Sequence, residues 1–290
     1  MPLDQEPEEA EVKGEKEMSF LDHLEELRWH VIRAMVAIMI FTTIAFIFVK
    51  EIFNEIILAP ARANFPTWRG LCALGRALDK PELCIENIPL ELQSRSMTGQ
   101  FTITIVSAFV IGLVFAFPYV AWEIWRFIRP GLKMNEQKNS RGAVSAISLL
   151  FAAGVSFGYF VIAPLMVYVL VNYRISDMIV NQFDIMSYVS TVVVLVFGSG
   201  ILFELPVVIY FLSKIGLVTP KFLRQYRKHS IVLILVIAAI ITPPDVLSQV
   251  LITMPLLLLF EISILISARV EKNKLKEEAA ERLREQHHDT

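Results

Sequence analysis

Of the 290 residues, 55% are hydrophobic and only 19% charged, and the mean hydropathy of +0.56 describes a chain whose main solvent is lipid. The apolar residues come in long blocks rather than in helix-period or strand-period stripes, which excludes an ordinary water-soluble domain. The formal net charge of -2 averages an acidic start against a mixed, strongly charged finish, and neither end carries the basic patch that nucleic-acid binding requires.

Residues 1–17 are acidic, through Asp4, Glu6, Glu8, Glu9, Glu11, Glu15 and Glu17, and they lack an apolar core. They read as a disordered cytoplasmic tail rather than a signal or transit peptide. Ser19 and Asp22 then form a capping box ahead of Phe20, Leu21, Leu24, Leu27 and Val31, whose spacing gives a short helix one apolar stripe. Its other face carries His23, Glu25, Glu26 and Arg28.

Six membrane spans are predicted within residues 18–268, over 31–49, 101–122, 143–171, 188–212, 230–242 and 246–268. The fold class is therefore all-α integral membrane, with a long outer loop over 50–100 and a charged tail over 269–290. The fifth run covers roughly 20 Å of a hydrocarbon core about 30 Å thick. Local bilayer thinning or shielding by neighbouring helices must accommodate it.

Arg126, Arg129, Lys133, Lys138 and Arg141 follow span two, and Lys214, Lys221, Arg224, Arg227 and Lys228 follow span four. Arg269, Lys272, Lys274 and Lys276 follow span six, whereas Arg174 is the sole basic residue between spans three and four. The positive-inside bias places both termini in the cytoplasm. The first outer loop holds Arg62, Arg69, Arg76, Lys80 and Arg95, but it is long enough to weaken that bias. It also holds Cys72 and Cys84, and an even count on the oxidising side favours a disulfide over two unpaired thiols packed in a small loop helix.

Pro118, Pro164, Pro206 and Pro255 fall inside apolar runs, so kinks are expected there. Glu204 lies well inside span four, where a carboxylate costs several kcal/mol unless it is protonated, hydrated or paired. A neutral acid bonded to carbonyls freed by Pro206 is the bland account; a contact for an incoming helix or a proton relay is the functional one. Glu261 fits an interfacial, snorkelling position, and Asp245, after Thr242-Pro243-Pro244, fits a helix cap. Glu26 and Glu136 are acids among basic neighbours beside the first two spans.

No HExxH, CxxC or phosphate loop is present, and Gly198-Ser199-Gly200 reads as close helix packing through small residues. All five histidines, His23, His30, His229, His287 and His288, are predicted outside the spans, so neither a metal centre nor a serine dyad is expected. A proton-coupled small-solute transporter would also use an intramembrane glutamate and broken helices, but no repeat relates spans one to three with four to six. An intramembrane enzyme would need a paired nucleophile and base.

Four stretches in order carry a specific resemblance: Phe20-Leu21-Asp22-His23-Leu24-Glu25-Glu26-Leu27-Arg28, Trp125-Arg126-Phe127-Ile128-Arg129-Pro130-Gly131-Leu132, Phe203-Glu204-Leu205-Pro206 and Thr242-Pro243-Pro244-Asp245-Val246-Leu247-Ser248-Gln249. They resemble TatC, the receptor subunit of the twin-arginine protein translocase, from about Phe20 to Arg269 with most of the first outer loop left out. The resemblance implies an N-in/C-in, cup-shaped protein of the cytoplasmic (inner) membrane that binds paired-arginine signal peptides and helps export folded proteins. It implies use of the proton-motive force without a cofactor, TatA and TatB type single-span partners, contact with membrane lipids, and self-association in a larger complex.

Carried over by position, the resemblance makes Glu26 and Glu136 the carboxylates that receive the signal's arginines, with Phe127 and Leu132 shaping the site and Arg28 orienting Glu26. It makes Glu204 the acid that meets single-span partners, and Pro60 and Asp245 architectural positions on the outer side. His30 departs from a position where arginine or lysine is common, and Asn135-Glu136-Gln137-Lys138 replaces the usual histidine-glutamate-arginine-arginine run. The stretch from Arg62 to Leu92 is longer than in many members.

Overall fold

A computed structural model describes residues 20–85, 87–128, 142–176, 178–179, 181–241 and 246–288. The acidic tail, Ser19, the segment with Leu132 and Glu136, and the stretch from Thr242 to Asp245 lie outside the described residues. Five helical stretches are long and apolar enough to cross a membrane: Glu25–Ile47, Gly99–Ile128, Ala143–Asn172, Ile185–Lys214 and Gln249–Lys276. The remaining expected span is the helix Arg227–Ile241, whose 15 residues rise only about 22 Å.

Burial runs opposite to that of a soluble protein. Met35, Met39 and Phe115 are 61%, 62% and 63% exposed, whereas Ser107, Ser263 and Ser267 are wholly buried. Large side chains face outward where lipid solvates them, and small residues line the contacts between helices. The chain is an all-α, multi-pass membrane protein.

Two boundaries differ from expectation. The short amphipathic helix before Val31 and span one form a single helix, Phe20–Ile47, because no breaker separates the amphipathic turns from the apolar ones. Span two continues past Trp122 to Ile128, so Glu123 lies inside it.

Small residues set the crossings. A Cβ on Gly154 would stand 2.6 Å from the Ser199 carbonyl, and one on Gly200 would stand 2.7 Å from the Phe151 ring, so spans three and four meet almost backbone to backbone. Gly198, two residues earlier, instead faces the Ile241 side chain of the short fifth helix.

Of the four prolines where kinks are expected, two stand next to a change in the helix. Pro118 and Pro255 lie within continuous helices, while Pro164 follows a π-turn over Gly158–Ile162 and Pro206 follows a break at Glu204. A buried helix tolerates proline when the carbonyl it frees finds another donor. Pro164 frees the Phe160 carbonyl, which accepts the Thr67 hydroxyl from the loop after span one.

That loop is folded rather than extended. A π-turn, Phe53–Ile57, leads to a 3-10 turn, Ala59–Ala61, and then to the helix Pro66–Ala77. Pro60 is fully buried; nearby, the Ile56 carbonyl accepts the Tyr159 hydroxyl at 2.9 Å and the Ile57 carbonyl accepts Tyr188 at 2.8 Å. Trp68 anchors the loop helix in a cluster with Ile57, Phe65, Val167 and Val189. A disulfide joins Cys72 to Cys84, and Leu92–Gln93 pairs in parallel with Phe183–Asp184. The loop is thus tied to spans three and four by side chains, backbone and core.

A second cluster, around Met166, Leu195, Ile234, Leu256 and Phe260, joins spans three to six. Arg227, at the start of the short helix, pairs with Glu261 of span six. Glu261 therefore has a specific partner where a solvated interfacial charge was expected, because the short fifth helix brings its basic end down to that level. Span six itself continues as one helix from Val246 to His288.

Candidate functional site

Spans one and two lie side by side, and near the Glu26 end of span one the two helices enclose a polar cluster. Two pairs of residues, each one turn apart, build it. Glu26 and His30 share a face of span one, and Glu123 and Phe127 share a face of span two.

His30 is at the centre, buried at 6% exposure. Its Nδ1 donates to Glu123 Oε2 at 2.5 Å, its Nε2 stands 4.0 Å from Glu26 Oε1, and its ring meets the edge of Phe127 at 6.2 Å between centroids. Glu123 is only 1% exposed, and its other oxygen accepts Arg33 Nε at 3.2 Å and the Tyr119 hydroxyl at 3.0 Å. A carboxylate withdrawn from water needs such donors, and three side chains from two helices supply them.

Glu26 is more open. Its side chain is 39% exposed, and His30 is its ion-pair neighbour among the described residues. Arg28, expected to orient it, instead lies over the Trp29 ring at 5.4 Å. The reason is helical geometry: positions two apart point to different faces, whereas positions four apart share one. His30, expected outside the spans, is the side chain that faces Glu26, one turn away on span one. Phe127 is half-buried beside it. Leu132 and Glu136, expected to complete the site, belong to the segment outside the described residues.

Glu123 was not foreseen from the sequence. It sits in Trp122-Glu123-Ile124-Trp125, which reads as the aromatic end of a span, and its partners are about ninety residues away in span one. A usable signal existed in His30 and Arg33: two potentially cationic side chains nearly one turn apart in an apolar helix call for an acid.

Glu204 lies elsewhere, at the break between Ile185–Phe203 and Leu205–Lys214. Its backbone carbonyl accepts from Val207 and Val208, and its Oε1 is buried with no hydrogen-bond partner among the described residues. The glycine contacts at Gly154 and Gly200 sit within a turn or so of it. Beyond it, Pro206, Val207, Tyr210 and Phe211 line an apolar cavity of about 420 Å³ shared with Ala146, Leu150 and Ile262. No cluster of three His, Cys, Asp or Glu residues suited to a metal ion occurs among the described residues.

The family model for the Sec-independent protein translocase protein (TatC) matches residues 22–255. A TatC protein of Blattabacterium sp. subsp. Periplaneta americana is 38% identical over 266 residues, covering 91% of this chain and all of the relative. TatCy of Bacillus subtilis is 34% identical over 268 residues, covering 92% and 95% of the two chains. A crystal structure of the twin-arginine translocase receptor TatC superposes with a TM-score of 0.67 at 34% identity, over 86% of this chain and 99% of that one. The match spans both the Glu26 to Glu123 cluster and the Glu204 break, and the family is one of translocase components rather than catalysts. The chain belongs to the TatC family of Sec-independent protein translocase proteins.

Proposed function

We propose that this protein is the receptor of a twin-arginine translocase in the cytoplasmic (inner) membrane, with six passes and both termini in the cytoplasm. Its cytoplasmic face binds paired-arginine signal peptides, and its partners are TatA and TatB type single-span subunits. Export of folded cargo then draws on the proton-motive force.

The observation that carries this reading is Glu26. It is a half-exposed carboxylate at the rim of spans one and two, with one distant ion-pair neighbour and lone pairs left to accept donors. A guanidinium meets such a carboxylate in a planar, two-point pair that the compact ammonium of lysine cannot reproduce. Glu136 supplies the second carboxylate for the second arginine, Phe127 and Leu132 form apolar walls, and Arg28 keeps the rim basic. Pro60 and Asp245 hold the outer-side turns, Pro60 buried next to the turn whose Ile56 carbonyl accepts Tyr159.

Photo-crosslinking of a paired-arginine signal peptide to the membrane-inserted protein tests the site. The crosslink is expected with the parent, lost when both arginines become lysine, and lost in Glu26→Ala with Glu136→Ala while insertion and folding persist. An undiminished crosslink in the double variant removes the assignment.

A further inference from the structure

We propose that His30, clamped by Glu123, is a positioning residue that sets the spacing between Glu26 and Phe127 and thereby tunes arginine recognition. The inference rests on the reading of Glu26 as an arginine-binding carboxylate, and adds to it two residues that do not themselves touch the peptide.

The geometry is a chain of contacts through buried groups. Arg33 and Tyr119 hold one oxygen of Glu123, the other oxygen holds His30 Nδ1, and the imidazole presents Nε2 to Glu26 and its ring to Phe127. Glu123 at 1% and His30 at 6% exposure have no room to swing without breaking these bonds. A carboxylate on one nitrogen of a histidine fixes the ring's orientation and hence what the other nitrogen addresses, as it does for histidines that ligate metals. Glu26, half-exposed and otherwise mobile, gains a fixed neighbour one helical turn away.

An arginine at position 30 could span the two acids with separate nitrogens of one guanidinium; a histidine does so with its two ring nitrogens, provided that Glu123 stands where it does. His30 thus has four contacts: Glu123 and Arg33 Nη2, the latter at 3.0 Å, share its Nδ1, Glu26 faces Nε2, and Phe127 meets the ring.

The test is equilibrium binding of two synthetic peptides, one with paired arginines and one with paired lysines, to the full chain in lipid nanodiscs. Glu123→Gln keeps the shape of the side chain and an acceptor for Arg33 and Tyr119 but loses the charged clamp. It is expected to weaken the paired-arginine peptide about tenfold, a coupling of the size seen between groups in contact. The paired-lysine peptide changes little, so the arginine-over-lysine ratio falls. His30→Leu behaves alike, and His30→Arg retains the ratio.

In a Glu26→Gln background, Glu123→Gln is expected to have no further effect. The same loss in both backgrounds overturns the proposal, because Glu123 would then act without Glu26. A lowered unfolding temperature with an unchanged ratio also overturns it and leaves Glu123 a stability residue only. If Glu26→Gln alone leaves paired-arginine binding intact, the arginine-site reading itself fails, an outcome separate from the other two.

Discussion

A Cβ placed on Gly112 of span two would stand 2.5 Å from the backbone nitrogen of Thr42 on span one. The two helices touch main chain to main chain at that level, and the contact holds in register the two faces that carry His30 and Glu123 further along. Gly112→Leu must push the helices apart, since a backbone nitrogen cannot rotate away. The expected cost is about 1–3 kcal/mol, read as a lower unfolding temperature in detergent. Unchanged stability would show that the crossing is not tight.

The turn out of span one rests on Tyr188. Its hydroxyl donates to the Ile57 carbonyl at 2.8 Å, in the π-turn that Pro60 terminates. Tyr188→Phe keeps the ring in the core and deletes only the donor, leaving a buried carbonyl short of a partner. A loss of about 1–3 kcal/mol is expected, accompanied by faster proteolysis within residues 62–92. Equal stability and equal protease resistance would mean that water replaces the hydroxyl.

What the sequence made legible and what it hid divide along one physical line. Spans are local: a block such as Val31 to Val49 declares its solvent without reference to the rest of the chain, and the shortness of the fifth run is counted directly. Gly198-Ser199-Gly200 announced close packing, and Gly200 makes it. The clamp and the loop are not local. His30 finds Glu123 93 positions away, and Tyr188 finds Ile57 131 positions away. No periodicity encodes such pairs, and Glu123 was further disguised by the tryptophans on either side of Glu123-Ile124. Arg28 lies over the Trp29 ring, because residues two apart on a helix point to different faces.

The 15-residue helix Arg227–Ile241 rises about 22 Å against a hydrocarbon core of about 30 Å. Tilting only shortens a helix's reach across the bilayer, so it cannot cover the deficit. Either the bilayer thins around it, at fractions of a kcal/mol per Å of mismatch, or neighbouring helices shield the short ends. Reconstituted in phosphatidylcholines of graded acyl length, the protein is expected to have its highest unfolding temperature in bilayers thinner than average. Indifference to thickness would show that neighbouring helices, rather than lipid thinning, cover the deficit.

Glu204 poses a conflict between stability and function that a single pair of measurements can expose. Its Oε1 is buried in span four without a hydrogen-bond partner among the described residues, beside a helix break and a wall of glycine contacts. A polar atom in that state costs the isolated chain about 1–3 kcal/mol. If Glu204 is kept for an incoming helix, then the penalty is relieved only in the complex, where the partner brings a donor. Glu204→Leu should therefore raise the unfolding temperature of the chain alone, spare paired-arginine peptide binding, and weaken crosslinks to a single-span partner. Glu204→Gln should restore part of the crosslinking, because an amide still offers polar contact. A variant that loses stability instead, with partner crosslinks intact, would make Glu204 a structural acid serving the carbonyls around Pro206.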